Sequence, residues 1–427
     1  MRQRPGTRFG RRDDARGHRR SPWRALGALL VVAPLLLAAA CGSSDQAAPA
    51  PSAPTSTTAA PAPTTSPPAS PATTPPPVSD AGTVVSSTPL TTTLPGRATA
   101  VRYRSTDTAG RPVEVTGTVV VPQAPPPGPL KLITYAVGTQ GMADRCAPSR
   151  QFAAGTEYEA PFVSALLQRG YAVAITDYEG LGTPGDHTYV NRAAEGHAVL
   201  DVARAARRLD VGVPADGPVA VMGYSQGGGA SAAAAELAPT YAPDVALVGA
   251  YAGAVPADLA AVGTFLDGSP SAGLLGYSLN GFQAAYPELR IPEQLNGQGK
   301  DFLTTTDDQC VSETRFPGLR SQTLTAGGES FTQLLAAEPF RDRVEQQRLG
   351  TVAPRTPVLV GHSTADDVVP YDQDAAMVRS WCARGARVQF LPTPVPTHTA
   401  AAVALFPQAL AYIDARFAGT PAPSTCS

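Results

Sequence analysis

The 427-residue chain passes through three regimes of apolar and polar positions. Residues 25–40, from Ala25 to Ala40, are apolar without a single charge, behind a start rich in arginine. Residues 42–80 then show no hydrophobic period and no large apolar side chain before Val78. From about residue 82 short β-branched runs appear, and after them alternating strand and helix patterns. Val113–Val121 alternates and then turns wholly apolar ahead of Pro122, which predicts an early antiparallel strand entering a core. Further strands are predicted at Leu130–Tyr135, Tyr171–Asp177, Val219–Gly223 and Val245–Gly249. Helices are predicted between them at Phe162–Arg169, Arg192–Leu209 and Gly227–Leu237. Strands alternating with helices predict a mostly parallel α/β sheet with helices on both faces.

The alternation stops after Ala252 and resumes at Pro357–Gly361 and Val388–Leu391. Residues 253–352 are helix-prone in patches, at Pro256–Leu266, Ser330–Glu338 and Arg341–Arg348, and hold no clear strand run. They are read as an inserted, mainly helical cap or lid rather than as more of the same sheet, which divides the core into residues 81–252 and 353–427.

The apolar stretch ahead of Cys41, ending in small residues, has the form of a signal peptide over residues 1–40. Sixteen residues make only about 24 Å of helix against a hydrocarbon core of about 30 Å. Pro34 interrupts them as well, so a permanent span is not expected. Ala38-Ala39-Ala40-Cys41 is similar to the lipobox of a bacterial lipoprotein, in which the cysteine is lipidated and becomes the new N-terminus. Simple secretion with cleavage after the alanines is the alternative. The Ala/Pro/Ser/Thr-rich residues 41–80 cannot bury enough surface to offset their ordering entropy, and are expected to be a disordered tether. At about 3.1 Å per residue such a tether reaches on the order of 100 Å.

Charge narrows the partners. The first 24 residues hold nine arginines against Asp13 and Asp14, so removing them takes the formal charge from −2 to −9. A mature chain this acidic, with Lys131 and Lys300 as its only lysines, is a poor candidate for holding a phosphate backbone. No nucleic-acid partner is therefore expected.

Candidate chemistry begins at Gly223-Tyr224-Ser225-Gln226-Gly227, which follows an apolar strand and opens a helix. The string alone is weak in a glycine-rich chain. Its place at a strand-to-helix turn supplies the specificity, because small flanking residues let Ser225 sit in a strained backbone with its hydroxyl exposed. The helix start also offers the Gln226 amide to a developing oxyanion. A serine nucleophile needs a base, and the base an orienting acid, in the chain order serine, acid, histidine for an α/β-hydrolase. His18 lies in the leader, His187 and His197 precede Ser225, and His362 precedes any acid on its own loop. His398 is left, on a Thr-Pro-Val-Pro-Thr-His loop, with Asp366 or Asp367 on the turn after the preceding strand as its acid. Neither a His-x-x-x-His pair nor a Cys-x-x-Cys spacing is present, so neither metal nor cofactor is expected. With Cys41 set aside for lipid, Cys146, Cys310, Cys382 and Cys426 form an even set suited to an oxidising compartment, with three possible pairings.

Taken with Thr139-Gln140-Gly141, Cys146-Ala147-Pro148-Ser149, Asp177-Tyr178-Glu179-Gly180, Phe265-Leu266-Asp267-Gly268 and Asp366-Asp367-Val368-Val369-Pro370, these residues make the chain resemble the secretory lipases of fungi and actinobacteria over about residues 95–426. The resemblance implies an α/β-hydrolase fold with an inserted helical lid, cleaving carboxylic esters of lipids without a cofactor. It places the catalytic acid at Asp366 and the second oxyanion donor at Thr139 or Gln140. It favours a disulfide between Cys146 and Cys310, which leaves Cys382 for Cys426. The expected protein is thus a monomeric esterase or lipase of the cell envelope or medium, with a lipid or ester substrate and a membrane tether at Cys41. A peptidase or an acyltransferase could use the same triad, since the triad fixes acyl chemistry and not the acceptor. A non-catalytic lipoprotein on a degenerate hydrolase fold is the third possibility.

Overall fold

The computed structural model describes residues 80–426. The predicted signal peptide, the lipidation site Cys41 and nearly all of the tether lie outside the described residues. One nine-stranded sheet runs through the described part, in the order β1-β2-β3-β5-β4-β6-β7-β8-β9. Its first three strands, β1 (Val84–Leu90), β2 (Gly96–Thr106) and β3 (Pro112–Pro122), form an antiparallel meander. β3 also pairs antiparallel with β5 (Ala172–Thr176). From there the pairs are parallel, through β4 (Leu132–Ala136), β6 (Val219–Tyr224), β7 (Leu247–Gly253), β8 (Val358–Ser363) and β9 (Val388–Thr393). Every residue of β4, β5, β6 and β8 is buried, which is why they read as continuous apolar runs instead of alternating ones.

Helices α1 (Pro148–Ala154) and α2 (Ala160–Gln168) connect β4 to β5 on one side, and α3 (Arg192–Arg208) carries the chain back across β4 to β6. The loops leaving β4 and β6 therefore diverge, and a crevice opens between the C-terminal ends of these adjacent strands, where α/β sheets bind ligands. α4 (Gln226–Tyr241) is almost entirely alanine and glycine on its buried faces, so it lies close against both α3 and the sheet. β7 begins two residues later than Val245 and continues to Gly253, because Gly249, Ala250, Ala252 and Gly253 leave room between crowded neighbours. Small residues that read as a strand end are here a strand interior.

Between β7 and β8 lie α5 (Leu259–Leu266), α6 (Gly273–Ala285), α7 (Gly297–Asp307), α8 (Phe331–Leu335) and α9 (Phe340–Gln346). These residues bury a hydrophobic cluster of their own, with Leu266, Phe282, Phe302, Phe331 and Phe340 in it. β8 pairs directly with β7, so the segment adds no strand to the sheet. After β8 come α10 (Tyr371–Ala383) and, after β9, α11 (His398–Phe417). α11 was not expected; Pro407 sits inside it, and its buried Ala401, Leu405, Ala409 and Ile413 cover the sheet. No helix among the described residues is long and apolar enough to cross a membrane. Two disulfides are present, Cys146–Cys310 and Cys382–Cys426, with Cα atoms 5.4 and 5.3 Å apart.

Candidate active site

Ser225 is the residue between β6 and α4, and the helix begins at Gln226, one position before the predicted start at Gly227. Its backbone has φ 62° and ψ −124°, a conformation that side chains other than glycine rarely adopt. Two glycines of the motif permit it. A Cβ on Gly223 or on Gly227 would run into the Ala136 carbonyl of β4, so only glycine lets the elbow press against the neighbouring strand. The strained residue is pinned by its N–H to the Gly253 carbonyl at 2.9 Å and by the Gly229 N–H to its own carbonyl at 3.0 Å.

His398 is the first residue of α11, not a loop residue as the proline-rich approach suggested. Its Nδ1 lies 2.8 Å from Asp366 Oδ2. Its Nε2 is buried with no hydrogen-bond partner among the described residues. The Tyr224 hydroxyl donates to the His398 carbonyl at 3.0 Å, and the two rings lie 4.9 Å apart. Asp366 accepts Val368 and Val369 N–H on its other oxygen at 2.9 and 2.8 Å. Burial works against its charge, but hydrogen bonds from His362 and His398 outweigh this and hold the carboxyl well below the usual range. Asp367 takes a different part of the same histidine, accepting its backbone N–H.

Gln226 opens α4, where backbone N–H groups have no acceptor within the helix. Its side chain points away, donating to Glu195 at 2.7 Å and facing His187 Nε2 at 3.1 Å. His187 Nδ1 meets the Glu179 carbonyl at 2.8 Å, so the ring donates there and accepts from Gln226, the neutral tautomer. Burial agrees, pushing His187 down to about 4 and Glu195 up to about 8.

Of the two loop candidates after β4, Thr139 lines the same cavity as Ser225 and His398, while Gln140 does not. Three consecutive residues hold this loop in antiparallel order. The Gln140 amide donates to Glu157 at 3.1 Å, the Tyr158 hydroxyl to the Thr139 carbonyl at 3.0 Å, and the Gly138 N–H to Glu159 at 3.2 Å. Burial raises Glu157 to about 7; burial and then the Glu157 charge raise Glu159 to about 8. From the other side residues 309–311 pair with the loop, through Met142 N–H to the Gln309 carbonyl and Val311 N–H to the Gln140 carbonyl, at 2.9 and 2.8 Å. Cys146–Cys310 closes this contact covalently. No local pattern points to Glu157, Tyr158 or Glu159, and chain order sets His362 aside although it faces Asp366.

The cavity encloses about 520 Å³. Its walls are apolar, formed by Phe162 of α2, Leu274 of α6, Val311, Val368, and Ala402 and Val403 of α11. No cluster of three or more His, Cys, Asp or Glu suited to a metal ion occurs among the described residues. Other motif residues serve the scaffold. Asp177 accepts the Ser149 N–H at the start of α1 at 2.7 Å, and Asp267 accepts the Ser321 N–H and hydroxyl, both at 2.8 Å.

A mostly parallel sheet with a serine elbow after β6 and a histidine and an aspartate beyond later strands is the α/β-hydrolase architecture. Within it the chain belongs to the secretory lipase family, whose profile matches residues 147–425. Lipase A of Moesziomyces aphidis is 30% identical over 348 residues, 76% of this chain and 73% of its own. A relative from Mycobacterium tuberculosis named a probable inactive lipase is 31% identical over 342 residues, 77% of this chain and 75% of its own. The closed-state X-ray structure of Candida antarctica lipase A superposes with a TM-score of 0.73 at 30% identity, over 80% of this chain and 83% of that one. The rice cell wall degrading esterase LipA of Xanthomonas oryzae, at 22% identity and a TM-score of 0.64 over 77% of this chain and 95% of that one, shares the fold.

Proposed function

We propose that the protein is an exported serine lipase or esterase with Ser225 as nucleophile, His398 as base and Asp366 as acid. One observation carries the reading: Ser225 and the unpartnered Nε2 of His398 meet in one apolar cavity, with Asp366 on the opposite ring nitrogen. Ser225 Oγ attacks the ester carbonyl carbon and its proton passes to His398 Nε2. The carbonyl oxygen becomes an oxyanion, held by the backbone N–H groups of Gln226 and Thr139; Gln140 is the weaker choice because it does not line the cavity. Collapse expels the alcohol, which takes the proton from His398. Water then repeats the cycle on the acyl-enzyme and releases the carboxylic acid.

The apolar walls favour an acyl chain over a peptide, and residues 253–352 act as the cap, since Leu274 and Val311 line the cavity that holds Ser225. Secreted relatives, including a secreted triacylglycerol lipase of Malassezia globosa 29% identical over 312 residues, support export. Attachment through lipid at Cys41 is proposed on the sequence alone. A chain-length series of p-nitrophenyl esters, beside emulsified triglyceride and a peptide anilide, tests the substrate class, with Ser225→Ala as control. Hydrolysis of esters by the parent and none by a folded Ser225→Ala is the expected result. Anilide cleavage without ester cleavage, or turnover by Ser225→Ala, would refute it.

A further inference from the structure

His362 is the penultimate residue of β8, and its ring is fully buried. Nδ1 lies 2.8 Å from Asp374 Oδ2 on α10. Nε2 lies 3.1 Å from the Val369 carbonyl and 3.4 Å from Asp366 Oδ2, the same oxygen that meets His398. A carbonyl cannot donate, so Nε2 must carry a proton. The state of Nδ1 depends on Asp374. Its Oδ2 also accepts the Val255 N–H at 3.0 Å, and its Oδ1 accepts the Gln373 amide at 2.7 Å. That amide is oriented by the Asp258 N–H, which donates to Gln373 Oε1 at 2.9 Å. Burial raises the Asp374 carboxyl, but the facing His362 ring and N–H donors on both oxygens work against this and favour the anion, which puts the second proton on Nδ1.

We propose that His362 is a buried imidazolium and the positioning residue of Asp366, a fixed cation behind the acid that holds His398. The groups facing it are Asp366 from the loop after β8, Asp374 and the edge of Tyr371 from α10, and, beyond Asp366, His398 of α11. Tyr251 of β7 is neutral, its hydroxyl driven upward by burial and by the charge of Asp374. Burial opposes the charge on His362, but hydrogen bonds and charge from Asp366 and Asp374 outweigh it and push the ring up to about 9. The cation has two consequences. It keeps Asp366, whose side chain is fully buried, ionised, and it moderates the field of two buried anions at His398.

The inference rests on the triad reading, and its tests separate the two. Histidine-¹⁵N NMR on the whole protein, with the His362 signals assigned by their loss in His362→Gln, should show protons on both ring nitrogens at about pH 7. A single ring proton there overturns the inference whether or not Ser225→Ala is inactive. Asp374→Asn gives a second test if His362→Gln does not fold: with one anion removed, His362 should titrate at lower pH. An unmoved titration refutes the Asp374 contact. In kinetics with a soluble p-nitrophenyl ester, His362→Gln should lower kcat about tenfold or more and change KM less than about twofold. The acidic limb of its kcat/KM profile should move to higher pH, because two anions without their cation favour protonation of the base. A fall in kcat with that limb unmoved would make His362 merely structural and sink the positioning role.

Discussion

The backbone N–H of His398 donates to Asp367 Oδ1 at 2.8 Å, so the residue beside the acid fixes the main chain of the histidine whose ring the acid holds. The two neighbouring aspartates thereby divide one task. Asp366→Asn should reduce turnover by roughly four orders of magnitude, since an amide can stabilise the wrong tautomer and carries no charge for the imidazolium. Asp367→Asn keeps an oxygen that can accept the same N–H and should change kcat less than about threefold. Steady-state kinetics on both variants decide it; the reverse order would assign the acid to Asp367.

Burial also leaves a signature in stability against pH. Glu157 and Glu159 are raised in the folded chain from 4.5 to about 7 and about 8. Between those limits the unfolded chain has lost protons that the folded chain keeps, so stability falls as pH rises through this window and levels off above it. Urea midpoints should therefore decline from about pH 5 to about pH 8, and less steeply in Glu159→Gln, whose amide oxygen can still accept the Gly138 N–H. Equal slopes in parent and variant would show that Glu159 is ionised in the folded protein.

The disulfides should separate stability from catalysis. Replacing Cys146 and Cys310 together by serine loosens the loop that presents Thr139, and should lower both the urea midpoint and kcat/KM. Replacing Cys382 and Cys426 together frees only the tail, where Thr425 N–H meets the Val388 carbonyl at 2.8 Å. That change should cost roughly 2–4 kcal/mol of stability and leave kcat/KM within about twofold. Full activity in the first double variant would remove the covalent tie from any part in arranging the loop.

Cys41→Ala should release the protein from the envelope while the purified domain keeps its ester hydrolysis. Two acyl chains on a glyceryl group anchor stably where a single chain binds only marginally. Mass spectrometry of the mature N-terminus gives the answer, and an unmodified residue on parent protein recovered wholly from the medium would establish ordinary secretion.

Much of this was readable in the chain because the buried parallel strands are largely apolar runs and the serine turn needs glycine on both sides. Ser225 and His398 stand out because chemistry demands their order, which leaves Asp366 and Asp367 both open; the choice of Asp366 comes from the family resemblance. Elements that depend on close approach were harder to read. β7 runs on through Gly249 and Gly253, and α6 starts at Gly273 and contains Gly276 and Gly281, which face Thr306 and Tyr189. Glycine at such contacts is indistinguishable in one sequence from glycine that ends an element. The clamp of Glu157, Tyr158 and Glu159 meets a loop 17 to 21 residues earlier, and His362 meets aspartates 4 and 12 residues on, contacts set by the turns between elements that no local pattern records.

The left-handed backbone at Ser225 sets selection for durability against selection for turnover. A non-glycine residue in such a conformation costs on the order of 1–3 kcal/mol, a sizeable part of the roughly 5–15 kcal/mol by which a folded domain exceeds its unfolded chain. Ser225→Gly should lose all activity and yet match or exceed the parent in urea midpoint; a lower midpoint would show that the elbow is unstrained. A lineage released from the need for catalysis therefore gains in robustness by losing its nucleophile first, and the same scaffold can persist as a sound protein without its chemistry.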